Sequence, residues 1–399
     1  LNFVTKDSIS FFSGSVNMDM KGTNYDDAYG NISFKNTLYK NENDEYYFKD
    51  FNVSSRFVDD IRYIDVDSPD IIEGSLNGKF VVADVVKLIE NALGNIYTNY
   101  KAYDIKENQF IDFNFKVYNK IAEVFYPELE LGSNTFIRGR VESDAKKFSL
   151  TFKSPQIKYG EDFVNNIQLK LDNKNPLFNT YVEIDSIKTN FYSVSDFSLI
   201  NVTLKDTLFI KTEFKGGKKN IDDFDLNLYY TINEENNSVV GFKRSKVNFK
   251  ENQWYVNNEK NLNNKIVFDR LFKSIVIDNI IMNHDNEIIE LAGELRDSTY
   301  KDINLDFKNV DLKKITPNID SLSLAGNVNG KLNVTQQNAI YLPESNVSID
   351  NFTLNNFNLG SFNANIIGNE SLTNYKVDIK LKDDINEALT IKGEFDVSG

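Results

Sequence analysis

Apolar residues fall at every second position through most of this chain. Ile111, Phe113 and Phe115 alternate with Asp112, Asn114 and Lys116. The same period carries Phe148, Leu150 and Phe152, then Ile167, Leu169 and Leu171, then Phe224, Leu226 and Leu228. It returns near the end in Ile303, Leu305 and Phe307 and in Val377, Ile379 and Leu381. A period of two places the apolar side chains on one face of a sheet and their polar neighbours on the other. The polar members are charged residues or Asn, so the second face meets water, which argues for antiparallel strands.

Turn signals separate the runs at Gly216-Gly217, Asn236-Asn237, Asn355-Asn356 and Asp383-Asp384. Their spacing predicts about 25 to 30 strands in a hairpin ladder. An open twisted sheet of that length is expected to curl over its apolar face. The fold class predicted is therefore all-β: a long antiparallel sheet of repeated strands around an elongated groove.

One segment breaks the period. Val81, Val85, Leu88, Ile89, Ala92, Leu93, Ile96 and Tyr100 recur at helical steps, with Lys87, Glu90, Asn91, Asn95 and Asn99 on the other side. This predicts an amphipathic helix over 81–100, packed on the sheet or capping it, with Asp84 in its first turn, where the helix dipole favours an acid. Two shorter helical turns run into proline, at Asn119–Pro127 and Asp311–Pro317.

The chain also repeats itself. Glu73-Gly-Ser-Leu-Asn-Gly-Lys-Phe80 and Ala325-Gly-Asn-Val-Asn-Gly-Lys-Leu332 are near copies, with a weaker echo at Arg138-Gly-Arg-Val-Glu-Ser143. Self-similarity of this kind predicts a repeated structural unit. With 6 prolines scattered over 399 residues and no Ser/Gly-rich linker, residues 1–399 are expected to form a single elongated repeat body. The abrupt ends, still in alternating sequence, suggest an internal fragment of a longer protein.

Composition narrows the function classes. A net charge of −14 without a Lys/Arg cluster makes a poor nucleic-acid binder, because phosphate neutralisation supplies most of that affinity. Cysteine is absent, which excludes thiol catalysis, disulfides and Cys-ligated zinc. The one histidine, His284, reads as a turn residue. Asp65-Val-Asp-Ser-Pro-Asp70 begins like a calcium loop but has Asp70 where the turn needs Gly, and Leu76 where a bidentate Glu belongs. The paired carboxylates at Asp26-Asp27, Asp59-Asp60, Asp222-Asp223 and Asp383-Asp384 read as solvated turns. No phosphate loop, nucleophile elbow or metalloprotease motif is present, so the expectation is no enzyme, no catalytic residue, no metal and no cofactor.

Three stretches carry a family resemblance. They are Ile72–Asp84 with its following helix, Tyr126-Pro-Glu-Leu-Glu-Leu131 leading to Ile137–Ser143, and Val310–Pro317 leading to Gly326-Asn-Val-Asn-Gly330. Together they resemble the TamB branch of the AsmA-like envelope proteins, in a Bacteroidota-type form. The resemblance implies a β-taco, a long sheet folded into a trough with a greasy interior. It implies a periplasmic location, with the full-length protein anchored in the inner membrane and reaching the outer one. It implies phospholipid transport, or help in assembling outer-membrane proteins with a barrel partner bound outside this fragment. Phospholipid acyl chains are the expected partner. The eighteen alternating residues named at the outset, from Ile111 to Leu381, would line the lipid groove. In a closed sandwich the same alternation would fill a dry core, and a β-helix or sandwich adhesin stands as a third reading.

Overall fold

The computed structural model describes residues 11–40, 45–94, 102–144, 147–190, 192–217, 220–316, 323–338, 340–368, 374–382 and 387–396. The fold is all-β, a long antiparallel sheet of 26 strands from Phe11–Lys21 to Glu387–Asp396. The strand number lies in the range that the alternation and turn spacing predict. Asn and Asp supply most of the non-glycine residues with positive φ, among them Asn236, Asn355 and Asn356 at the expected turns. Their short polar side chains tolerate the left-handed conformation that tight reversals need. Asp383-Asp384 lies outside the described residues.

The contacts divide the chain into two compact units, 1–208 with 212–220, and 209–211 with 221–399. In the first unit the expected helix opens as a single 3-10 turn, Val82–Asp84, and continues as α1, Val85–Gly94. Residues 95–100 of the expected span lie outside the described residues. Leu88 and Ala92 of α1 are buried against Ile111, Val141 and Phe148, and Val85, Ile89 and Leu93 flank them. The apolar stripe thus packs on the apolar face of the strands, as its period implies.

Both short helical turns form. The first, α2, is Asn119–Phe125, and Tyr126 closes it by donating its N–H to the Ala122 carbonyl. The second unit holds α3, Leu312–Ile315, capped by Asp311, whose side chain accepts the Lys313 N–H at 3.0 Å. Leu312 and Ile315 pack on a core of Trp254, Val310, Val328 and Val347.

The repeated motif has a structural counterpart in each unit. Gly74, Leu76 and Gly78 alternate along the strand Ile72–Lys79, and Gly326, Val328 and Gly330 along Leu324–Gln337. Leu76 joins the first core and Val328 the second. Gly74 and Gly330 both have positive φ, and both stand opposite a phenylalanine, Phe115 and Phe307. A Cβ on Gly74 would lie 2.8 Å from the Phe115 ring, and one on Gly330 2.0 Å from the Asn346 carbonyl oxygen. Both glycines let the neighbouring strand approach closely, and Gly74 also leaves room for the Phe115 ring.

Candidate functional site

Register turns the alternation into rows. In the first unit Met18, Ile32, Val53, Val66, Gly74, Phe115, Ile137, Phe152, Leu169, Val182 and Leu199 each stand directly opposite the next, one per strand. Residues paired in this way share a face. At ~4.8 Å per strand the row runs for roughly 50 Å with one side-chain gap, at Gly74. A parallel row holds Leu76, Phe113, Gly139, Leu150 and Leu171. Ile167 stands on the same face, opposite Ile184.

The second unit repeats the arrangement. Val256, Met282, Ile289, Phe307, Gly330, Val347, Ala364, Ile379 and Ile391 form one row. Beside it Leu291, Leu305 and Leu332 align, as do Phe362, Leu381 and Leu389. Ile303 pairs with Val334 and Val377 with Ile366. Phe224 stands opposite Val247, and Leu228 opposite Phe242, with Leu226 between them on the strand Asp222–Ile232.

Burial decides what such rows can do. Of the eighteen residues the sequence singles out, only Ile111 and Phe148 are buried, at 2% and 1% exposure. The other sixteen are half-buried. Neighbours in the rows are wetter still, with Leu332 at 37% and Val334 at 42% exposed. Within each unit the apolar face is a lane with a covered margin. In the first unit the cover is α1, which lies over Ile111, Val141 and Phe148.

That helix is held by residues far from it in sequence. Its leading N–H groups have no side-chain cap of their own. Gln109 Oε1 accepts from Val81 N and Asp26 Oδ1 from Val82 N, both at 2.7 Å. Gln109 Nε2 donates to Asp84 and to the Lys106 carbonyl. These contacts satisfy amides that a helix start otherwise leaves open. Alternation gave no hint of Asp26 or Gln109 as anchors. Met18, Ile32, Val53 and Val66 were legible as alternating residues and extend the row.

The polar face is knit by ion pairs. Arg140 binds Asp112 and Glu142, and the Glu142 hydrogen bond chiefly raises its pKa. Asp65 pairs with Arg56. Asp65 and Asp67 sit in the strand Ile61–Ser68, not in a loop wrapped around an ion. Among the described residues no group of three or more His, Asp or Glu is placed to hold a metal. His284 ends the strand Ser274–His284, its Nδ1 2.8 Å from the Gln253 carbonyl and its ring 5.2 Å from that of buried Trp254. No helix among the described residues is long and apolar enough to cross a membrane.

Set against protein-family models, curated proteins and solved structures, the chain matches none.

Proposed function

We propose that this chain is a non-enzymatic lane that conducts phospholipid acyl chains across the periplasm, between the inner and outer membranes. The supporting observation is the row from Met18 to Leu199, apolar across successive strands, with Met18 exposed and the rest left half-buried by their own sheet. Each acyl CH2 kept from water is worth ~0.8 kcal/mol. A lane that replaces water continuously along its length lets a chain move without meeting that cost at any one step. The resemblance to the TamB branch supports the same reading, with an outer-membrane barrel protein as the partner.

The test is native mass spectrometry of the 399-residue chain after incubation with phospholipid vesicles. Retained phospholipid is expected, and it should be lost in Leu169→Glu/Leu228→Glu with β-sheet circular dichroism intact. A folded double variant that keeps its lipid would sink the proposal.

One observation favours a second reading, a scaffold for assembling outer-membrane barrels. Among the described residues the strand Glu387–Asp396 pairs only with Asn374–Lys382, and it exposes Leu389, Ile391 and Phe395. An open edge can accept a client strand. Under that reading a proline at Ile391 impairs client binding more than a charge at Leu169 does.

A further inference from the structure

The polar face of the first unit carries a feature that an acyl lane does not use. A cavity of about 680 Å³ opens there, lined by residues of five neighbouring strands, Phe113, Leu150 and Leu171 of the apolar rows among them. One rung of that face is Ser75, Asn114, Arg138, Thr151 and Lys170, each directly opposite the next. In the adjacent rung Arg140 is neutralised by Asp112 and Glu142. In the first rung neither cation has a carboxylate partner among the described residues. Arg138 lies over the Phe136 ring at 5.8 Å and Lys170 over the Tyr181 ring at 5.5 Å. The rings hold the cations on this face without cancelling their charge.

Thr151 lies on the strand between those of Arg138 and Lys170, with a strand spacing of ~4.8 Å on either side. Long side chains from both sides can close on an anion seated at the Thr151 hydroxyl, which gives a three-point clamp. Beyond it Asn114 and Ser75 offer donors and acceptors suited to hydroxyl groups. Phe178 forms an apolar wall of the same cavity. The unpaired positive charge stands out in a chain of net charge −14.

We propose that this cavity binds a phosphorylated sugar, its phosphate held by Arg138, Thr151 and Lys170 and its hydroxyls by Asn114 and Ser75. The ligand is acyl-free. Side chains of this rung point away from Leu76, Phe113, Leu150 and Leu171, which alternate with them along the same strands. The proposal does not rest on lipid transport and stands or falls separately.

Calorimetric titration of the full chain at low salt tests it, with glucose 6-phosphate, glucose and inorganic phosphate as probes. Glucose 6-phosphate is expected to bind, with glucose and inorganic phosphate each at least about tenfold weaker. Arg138→Gln and Lys170→Gln should each weaken it about tenfold, the loss of one charge-assisted contact. Asn114→Ala should weaken glucose 6-phosphate while leaving inorganic phosphate unchanged. Asn114 and Arg138 are exposed and Lys170 is half-buried, and circular dichroism verifies the fold of each variant. No binding of glucose 6-phosphate at millimolar concentration overturns the proposal. So does equal affinity for inorganic phosphate, or full affinity in the Arg138→Gln/Lys170→Gln double variant.

Discussion

Ile111, Val141 and Phe148 stand in one row across three neighbouring strands, and Phe115, Ile137 and Phe152 stand four residues along those strands on the same face. Both rows are apolar throughout, and the alternation and the pairing match. The first row is buried and the second half-buried. The difference is α1, whose Leu88 and Ala92 lie on the first row only. Period two therefore sets which face a side chain occupies. Whether that face becomes core or lane depends on what covers it. A sheet with one margin capped and the rest open is a workable compromise: the cap supplies stability, and the uncovered rows remain available to a ligand.

The comparison can be broken most directly by truncation. Phe148→Ala, under the helix, is expected to cost about 3–5 kcal/mol of unfolding free energy. Phe152→Ala, in the open row, should cost about 1–2 kcal/mol, because less of its surface leaves water on folding. Denaturant unfolding of both variants measures the contrast. Equal losses would mean the open row is as tightly packed as the covered one, and the lane would be a closed core.

A smaller effect sharpens the same contrast by loosening the cap. Gln109 is buried at 4% exposure and serves α1 through both ends of its amide. Gln109→Ala leaves the Val81 N–H without its partner and should cost about 1–3 kcal/mol. Faster amide hydrogen exchange in Leu88–Ala92, with exchange at Leu169 unchanged, is the expected signature. Uniform acceleration throughout the unit would show that the helix and the open row are not separable.

The smallest effect lies in the loop that also contributes Asp26 to the helix start. Asp27 is held below the ordinary carboxylate range, chiefly by the Thr23 hydroxyl and then by the Asn24 backbone N–H. A depressed folded value means that this contribution is present above the ordinary carboxylate pKa. It is lost as pH falls through the lowered one. An NMR titration of Asp27 should show the depressed midpoint in the wild type and a return toward the ordinary value in Thr23→Ala. An unchanged midpoint in the variant would remove the hydroxyl as its cause.

The strands, the faces and the positions of all three helices were legible in the chain because each is a local matter. Alternation at Phe148-Ser-Leu-Thr-Phe152, the helical steps from Val85 to Leu93, and the Pro-terminated turns at Asn119 and Asp311 each depend on a few consecutive residues. The near copy of Glu73–Phe80 at Ala325–Leu332 marked two strands in which a glycine of positive φ stands opposite a phenylalanine. The candidate lane was only partly legible. Its members could be named one strand at a time, but their continuity from Met18 to Leu199 is a property of register.

What the tertiary structure alone decided is which long-range partners meet. Asp26 and Gln109 carry no local signal for starting a helix at Val82, because they reach it from outside the segment. Arg138 and Lys170 read singly as solvated strand residues, and only the pairing of the strands on either side of Thr151 sets them in one rung. Local periodicity fixes the direction a side chain takes from its own strand. Cover, register and the convergence of charges come from chain segments far apart in sequence, so no window along the chain contains them.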